Sequence, residues 1–149
     1  MATIKGRIRA ISISAKKGTK KTNVPEAEVK IDFCIVGDAH GGNLHRQISL
    51  LAIESIDKMI EMGADVLPGS FAENITTQGI KLPDLPIGCR LKAGEEIEFE
   101  VTQIGKECHS RCEIFKQVGD CIMPREGIFA KVMKAGVMKV GDTIEVLND

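Results

Sequence analysis

The sequence contains no tryptophan and no tyrosine, and five phenylalanines are its only aromatic residues. Proteins that bind single-stranded nucleic acid stack the bases on aromatic side chains, so this chain is a poor candidate for that class. Its 20 lysines and arginines are balanced by 21 aspartates and glutamates, which gives a net charge of −1. The charge balance therefore gives no reason to expect nucleic acid or an anionic membrane as a partner.

Long apolar runs are also missing from the sequence. No stretch approaches the roughly 20 apolar residues with which a helix crosses a bilayer. The N-terminal residues MATIKGRIRAIS have neither the apolar stretch nor the cleavage site of a secretory signal. We therefore expect a cytoplasmic protein without a membrane partner.

The common nucleotide-binding and hydrolase motifs are absent as well. The chain has no P-loop, GxGxxG, HExxH or GxSxG pattern, so nucleotide hydrolysis, dinucleotide redox chemistry and serine hydrolysis are not supported. Its five cysteines are an odd number and cannot all pair within one chain. In a reducing compartment, cysteines are more often thiols, ligands or nucleophiles than disulfide partners.

The alternation of apolar and polar residues predicts a strand-rich fold. With 149 residues and 43% hydrophobic residues, the chain is expected to form a single domain over residues 1–149. A helix is predicted at 52–62, ending before Gly63, and residues 16–25 are predicted to be a loop. Prolines and glycines predict short strands and turns over 68–94. The other predicted strands are 4–15, 28–36, 46–51 and 95–103, with two more short strands at 129–132 and 143–147. Many short strands with one or two short helices indicate a mainly β protein, a compact β-barrel.

Three of the five cysteines lie in the segment 105–127, GKECHSRCEIFKQVGDCIMPREG. If residues 108–118 form a helix, Cys108 lies at its N-terminal end, where the helix dipole and free amide groups stabilise a thiolate. Nearby cationic side chains lower the pKa of the same thiol, which predicts a nucleophilic or sulfur-accepting cysteine. For Cys112 and Cys121, chemistry and packing as small apolar residues remain equally open. The candidate catalytic residues are Cys108, Lys106, Arg111, Cys112 and Cys121.

The same segment can also be interpreted as a metal site. Separations of two to four residues between thiols and an imidazole suit tetrahedral zinc, although the spacing is not the CxxC…CxxC signature. The candidate ligands are Cys108, His109, Cys112 and Cys121. The isolated Cys34 and Cys89 are predicted to be packing residues.

A loop with two histidines follows the strand predicted at 28–36. His40 and His45 flank a Gly-Gly pair, and a histidine there could bind a phosphate, order the loop or contribute to a metal pair. Arg46 and Arg125 have the planar fork that suits phosphate oxygens. Each arginine could equally form a structural ion pair with one of the acidic residues.

Taken together, several segments of this chain resemble the MOSC domain, the module at the C-terminus of molybdenum cofactor sulfurases. The match extends over nearly the whole chain from about residue 5, and the order and spacing of its motifs are more specific than any one of them. The matching segments are 37–42, 46–51, 68–76, 85–88, 100–103 leading to Cys108, 125–132 and 136–142.

The resemblance implies a compact β-barrel and one functional cysteine, which aligns with Cys108, five residues after Gln103. In the family, that cysteine is proposed to carry sulfur as a persulfide, or to bind molybdenum in members that hold the pterin cofactor. A persulfide is a reversible cap of a reactive thiol. The residues expected to line a pocket for the molybdenum cofactor (molybdopterin) are His40, Arg46, Asn74 and Arg125.

These features predict a sulfur carrier or cofactor-handling protein of molybdenum cofactor metabolism. The expected partners are a cysteine desulfurase that depends on pyridoxal phosphate, as sulfur donor, and molybdenum cofactor biosynthesis proteins. The chain departs from the one-cysteine family pattern, because His109, Cys112 and Cys121 surround Cys108. The alternative is a non-catalytic module that binds molybdenum cofactor or a metal ion through these residues. Distant relatives reduce N-hydroxylated compounds, which requires electron-donating partners that this chain does not contain.

Overall fold

The structure is a computed structural model that describes residues 4–13, 22–31, 34–35, 48–63, 68, 73–105 and 127–147. This part of the chain forms strands, one α-helix and a 3-10 turn at Leu82–Asp84. The helix α1 spans Ile53–Glu61. The strands are β1 Lys5–Ile13, β2 Thr22–Val24, β3 Glu26–Lys30, β4 Cys34–Ile35, β5 Ile48–Ala52, β6 Ile75–Gln78, β7 Arg90–Ala93, β8 Ile97–Ile104, β9 Ile128–Lys134, β10 Gly136–Lys139 and β11 Thr143–Leu147. Within these ranges, no helix is long and apolar enough to cross a membrane.

Seven of the described strands close into a barrel, which confirms the predicted fold class. Their order around the ring is β11-β7-β8-β9-β5-β6-β1, and β1 closes it by pairing with β11. The pairs are antiparallel except for β5 and β6, which are parallel. Parallel neighbours need a crossover connection, and α1 lies in the connection between these two strands. The remaining strand of this sheet, β2, pairs with the C-terminal end of β1.

The interior of the barrel is filled by the apolar faces of its strands. In β8, the side chains of Ile97, Phe99 and Val101 are fully buried, whereas Glu98 and Glu100 alternate with them and are half-buried. This period of two is the pattern that predicted the strand. The largest fully buried side chains are Phe99, Ile8, Ile11, Ile35, Ile48, Leu50, Leu51, Ile56, Met59, Ile75, Leu82 and Leu91.

A second sheet of three strands, in the order β10-β3-β4, contributes Val29, Ile35 and Met138 to the same core. Here the prediction of one continuous strand over 28–36 was wrong. The chain turns at Ile31, whose side chain is 52% exposed, so the apolar alternation does not continue across that residue. The predicted loop 16–25 was also wrong at its end, because β2 lies within it.

The predicted helix is confirmed, although Ile53, Ile56 and Ile60, whose near-helical spacing indicates the helix in the sequence, are not all buried. Ile56 and Met59 are buried against the barrel, together with Ser55. The directions of Ser55, Ile56 and Met59 centre close to that of Met59, and Ile60, which is turned by about 100° from Met59, lies at the margin of this face and is 48% exposed. The helix ends before Gly63, whose φ of 101° is the left-handed conformation typical of a C-terminal glycine.

Charged side chains form a row across five strands on the outside of the barrel. The strand registers pair Lys5 with Glu145, Glu145 with Lys92, Lys92 with Glu98, and Glu98 with Lys134. We call this set the ion row. The Lys134 Nζ lies 2.6 Å from the Glu98 Oε2. The hydrogen bond from Lys134 lowers the pKa of Glu98, and the positive charges of Lys134, Arg90 and Lys92 act in the same direction.

Candidate functional site

Strand β8 ends in a β-bulge that leads towards the cysteine-rich segment. Val101 pairs with Ala130 and Gln103 pairs with Phe129, so Thr102 is an extra residue on β8. The Thr102 hydroxyl donates a hydrogen bond of 3.2 Å to the Phe129 carbonyl oxygen. Bulges are frequent next to active sites because they redirect the side chains that follow them. The end of β8 is therefore a candidate location for a functional site.

Beyond the bulge, a backbone hydrogen bond joins Gly105 and Gly127, the two described residues that flank the segment 106–126, and a second hydrogen bond holds Gly105 to Gln103. The Gly105 N–H donates to the Gly127 carbonyl oxygen at 2.6 Å. The Gln103 Nε2 donates to the Gly105 carbonyl oxygen at 2.8 Å. We call these contacts the Gly105 clasp. Gly105 is buried and has a φ of 71°, a conformation that residues with a Cβ adopt at a cost.

Asn74 joins three neighbouring strands of the barrel. Its Oδ1 accepts hydrogen bonds from the Ser49 backbone N–H at 3.1 Å and from the Ser49 hydroxyl at 3.2 Å. Its Nδ2 donates to the Ser12 carbonyl oxygen at 3.2 Å. The Asn74 backbone also bonds Ser49 and Ser12, at 2.9 and 2.7 Å. These contacts connect β1, β5 and the start of β6, and Asn74 is only 3% exposed.

Glu73, immediately before Asn74, is a fully buried carboxylate. Its Oε2 accepts a hydrogen bond of 2.9 Å from the Thr76 hydroxyl, and Thr76 is itself fully buried. A carboxylate is costly to bury unless hydrogen bonds or opposite charges compensate it. The sequence pattern does not distinguish Glu73 from other acids, since a single acid beside a strand carries no separate signal of burial.

The family of this chain follows from the match between its sequence and a protein-family model. The family model for the MOSC domain matches residues 37–145, which is more than half of the chain. The chain belongs to the MOSC domain family. The resemblance stated from the sequence motifs is therefore confirmed. MOSC domains are associated with the C-terminal domains of molybdenum cofactor sulfurases.

Solved structures confirm the MOSC-type fold. YuaD from Bacillus subtilis is 20% identical over 97% of both chains, with a TM-score of 0.81. YiiM from Geobacillus stearothermophilus is 19% identical over 96% of this chain and 75% of that chain, with a TM-score of 0.71. YiiM from Escherichia coli is 15% identical over 96% of this chain and 70% of that chain, with a TM-score of 0.67. Among curated proteins, none matches this MOSC chain in sequence.

Of the predicted site residues of this MOSC domain, Asn74 lies within the described residues. The others lie outside them, and their roles stay predictions: His40, Arg46, Lys106, Cys108, His109, Arg111, Cys112, Cys121 and Arg125. Cys89 packs against the core, as the sequence predicts, and its Sγ lies 3.8 Å from the Arg90 carbonyl oxygen. Among the residues that the structure places, no group of three or more histidines, cysteines or acids could hold a metal ion.

The MOSC barrel also carries a cavity that sequence reasoning did not find. It has a volume of about 600 Å³ and lies between the first turns of α1 and residues 79–84. Its charged lining residues are Glu54, Lys58, Lys81 and Asp84, two of each sign. The Glu54 carboxylate already accepts a hydrogen bond of 2.9 Å from the Gly79 N–H. The balanced charge of this lining selects neither anions nor cations.

Proposed function

We propose that this MOSC domain protein is a cytoplasmic sulfur carrier of molybdenum cofactor metabolism and that Cys108 accepts the sulfur. The observation that carries the proposal is the MOSC match over residues 37–145, a range that includes Cys108. The bulged end of β8 supports it, since Cys108 follows Gln103 by five residues. We further propose that residues 1–149 act as one domain.

The proposed reaction is a thiol–persulfide exchange. The Cys108 thiolate attacks the outer sulfur of a persulfide on a pyridoxal-phosphate-dependent cysteine desulfurase. A new S–S bond forms on Cys108 while the S–S bond of the donor breaks, and its electron pair leaves with the donor thiolate. No net oxidation takes place, so the transfer needs no further oxidant or reductant.

The charged neighbours of Cys108 in the sequence favour this step. Lys106 and Arg111 would stabilise the thiolate, which is the attacking species. A second thiol, Cys112 or Cys121, could then attack the Sγ of the Cys108 persulfide. That attack forms a disulfide within the chain and releases the outer sulfur as hydrosulfide, again with no net oxidation.

The molybdenum cofactor is the expected destination of the sulfur, through a pocket that His40, Arg46, Asn74 and Arg125 would line. Of these, Asn74 is described, and its carboxamide bonds Ser12 and Ser49. The cofactor pocket therefore stays a prediction, and no step of the exchange depends on it.

The intact mass of the protein tests the carrier proposal directly. The purified protein is incubated with a cysteine desulfurase and cysteine, and we expect a gain of one sulfur atom. The Cys108→Ala variant should show no gain. Cys89→Ala is the matched control, because Cys89 is half-buried against the barrel core, and it should gain sulfur like the parent.

A gain that persists in Cys108→Ala, or no gain in the parent, would contradict the carrier proposal. The alternative function, a module that binds a metal ion or molybdenum cofactor through Cys108, His109, Cys112 and Cys121, makes a different prediction. It requires one tightly held metal per chain that is lost in Cys112→Ala. Metal analysis of the parent and this variant separates the two functions, and the chain has no tryptophan or tyrosine to obscure a thiolate-to-metal absorption band.

A further inference from the structure

The cavity beside α1 has two walls that a hydrogen bond joins. One wall comes from residues between 52 and 58, at the start of α1, and the other is the segment 79–84 that follows β6. The Gly79 N–H donates to the Glu54 Oε2 at 2.9 Å and links the two walls. The volume of about 600 Å³ lies within the range of about 300–1,000 Å³ that is usual for sites of small organic ligands.

The second wall carries two charged residues on a braced backbone. Lys81 and Asp84 stand at the two ends of the 3-10 turn and are exposed. The apolar residues that alternate with them are buried and anchor the turn in the core; they are Ile80, Leu82 and Leu85. The Asp84 N–H donates to the Lys81 carbonyl oxygen at 3.1 Å. The Cα atoms of these two residues are therefore held about 6 Å apart, the rise of three residues in a 3-10 helix.

The charges of this turn are available to a ligand. In the part of the chain that the structure describes, no hydrogen bond or ion pair engages the side chain of Lys81 or that of Asp84. The wall on α1 carries the same pair of signs, because Glu54 and Lys58 lie about one helical turn apart and both line the cavity. Each wall thus presents one positive and one negative side chain.

We propose that this cavity binds a dipeptide with free termini and apolar side chains. A zwitterion is the class of ligand that uses both signs of the lining at once. The ends of an extended dipeptide are at most about 7 Å apart, which matches the spacing of Lys81 and Asp84, whereas a single amino acid has both charges on one carbon atom. The site shares no residue with the proposed sulfur transfer and so goes beyond that function.

Each part of the dipeptide has its own contact in this arrangement. Lys81 binds the carboxylate and Asp84 binds the ammonium group, both through charge-assisted hydrogen bonds. The apolar lining, which includes Ile80 and Leu82, contacts the peptide side chains and removes them from water.

The test is a titration of the 15N-labelled protein with alanyl-leucine, followed by its backbone amide signals in NMR spectra. At about pH 6.5 the peptide amine is charged, since its ordinary pKa is about 8. We expect the signals of Gly79, Lys81 and Asp84 to shift on binding. Acetylation of the peptide amine or amidation of its carboxylate should each weaken binding about two- to fivefold, the usual contribution of one exposed ion pair.

Two variants assign the charges. Lys81→Gln should weaken binding of alanyl-leucine by the same factor and leave binding of its C-terminal amide unchanged. Asp84→Asn should weaken binding of the free peptide and leave binding of the acetylated form unchanged. Lys30→Gln and Asp57→Asn are the matched controls, because both residues are exposed and neither lines the cavity, and they should bind all forms like the parent.

Three results would overturn the proposal. The first is an absence of shifts at residues 79–84 with alanyl-leucine, and the second is equal affinity for the free and the capped peptides. The third is a Lys81→Gln variant that binds the amide as much more weakly as it binds the free peptide, since the lysine would then not act on the carboxylate.

Discussion

Asn74 illustrates how one side chain can belong to a predicted site and still have a clear structural task. Its carboxamide joins Ser12 at the end of β1 to Ser49 in β5, and its backbone bonds the same two residues. These are the strands beside which β6 begins. Any role towards a cofactor would have to be compatible with these contacts.

The variant Asn74→Ala should therefore lose stability. It removes the acceptor of the Ser49 N–H and hydroxyl and the donor to the Ser12 carbonyl oxygen, all of them in a buried region. We expect the free energy of unfolding to fall by about 1–3 kcal/mol, the usual cost of leaving buried polar groups unpaired. Chemical denaturation of both proteins measures the difference.

Gln78→Ala provides the matched control, because Gln78 is the last residue of β6, the strand that follows Asn74, and is exposed. Its carboxamide oxygen accepts a hydrogen bond from Arg9 at the surface, so its loss should change the free energy of unfolding by no more than about 0.5 kcal/mol. Equal losses in the two variants would refute the structural role assigned to the Asn74 carboxamide.

At the scale of the elements, the ion row makes the stability of the barrel depend on pH. Lys134 and the neighbouring cations lower the pKa of Glu98 in the folded protein. A lowered folded-state pKa stabilises the fold above the unfolded-state pKa, and that contribution is lost as the pH falls through the folded-state value. An unperturbed glutamate has a pKa of 4.5, so the loss begins near that pH on acidification.

Glu98→Gln should consequently show a smaller loss of stability on acidification than the parent. Denaturation midpoints measured between about pH 3 and pH 7 test this expectation. Glu26→Gln, on β3 and outside the ion row, is the control and should lose stability on acidification as the parent does. A Glu98→Gln profile parallel to that of the parent would show that the Lys134 contact does not contribute.

The elements also show which parts of the fold the sequence could predict. In β8 and β11, one face of the strand packs in the core, and the apolar alternation made these strands evident. β2 and β10 have only three and four residues, which is too short for a period of two to emerge. The turn at Ile31 was missed because the apolar residues on both sides of it keep the same spacing.

The site is less predictable from sequence than the fold. The motifs identified the family and directed attention to Cys108, whose role stays a prediction. The Gly105 clasp depends on a bulge that adds one residue at Thr102, and neither alternation nor composition indicates such an addition. Similarly, the burial of Glu73 follows from how the strands pack around it rather than from its neighbours in the chain.

At the scale of the whole molecule, closure of the barrel depends on a close approach at Gly6. Gly6 pairs with Ile144 of β11, and its neighbour Arg7 pairs with Gln78 of β6. A Cβ at Gly6 would overlap the Gln78 carbonyl oxygen, which is backbone and cannot move aside alone. The residue at this position must therefore be small for β1 to meet both of its partners.

Gly6→Ala should accordingly destabilise the protein by about 3 kcal/mol, the upper end of the usual cost of overpacking. Gly79→Ala is the comparison variant, because a Cβ there meets only ordinary contacts at 3.5 Å, although its φ is +91°. That backbone conformation should cost about 1–2 kcal/mol. Urea unfolding ranks the two variants, and a Gly6→Ala protein as stable as Gly79→Ala would contradict the steric argument for closure.

The ring of strands has a consequence for how copies of this protein meet one another. A closed sheet presents no long row of unpaired N–H and C=O groups to a second chain. In the described ranges, the strands that end a sheet are β2, β4 and β10, with three, two and four residues. Edges this short offer few unpaired backbone groups to the strands of another molecule. We therefore expect these edges to contribute little to edge-to-edge aggregation of the protein, even at high concentration.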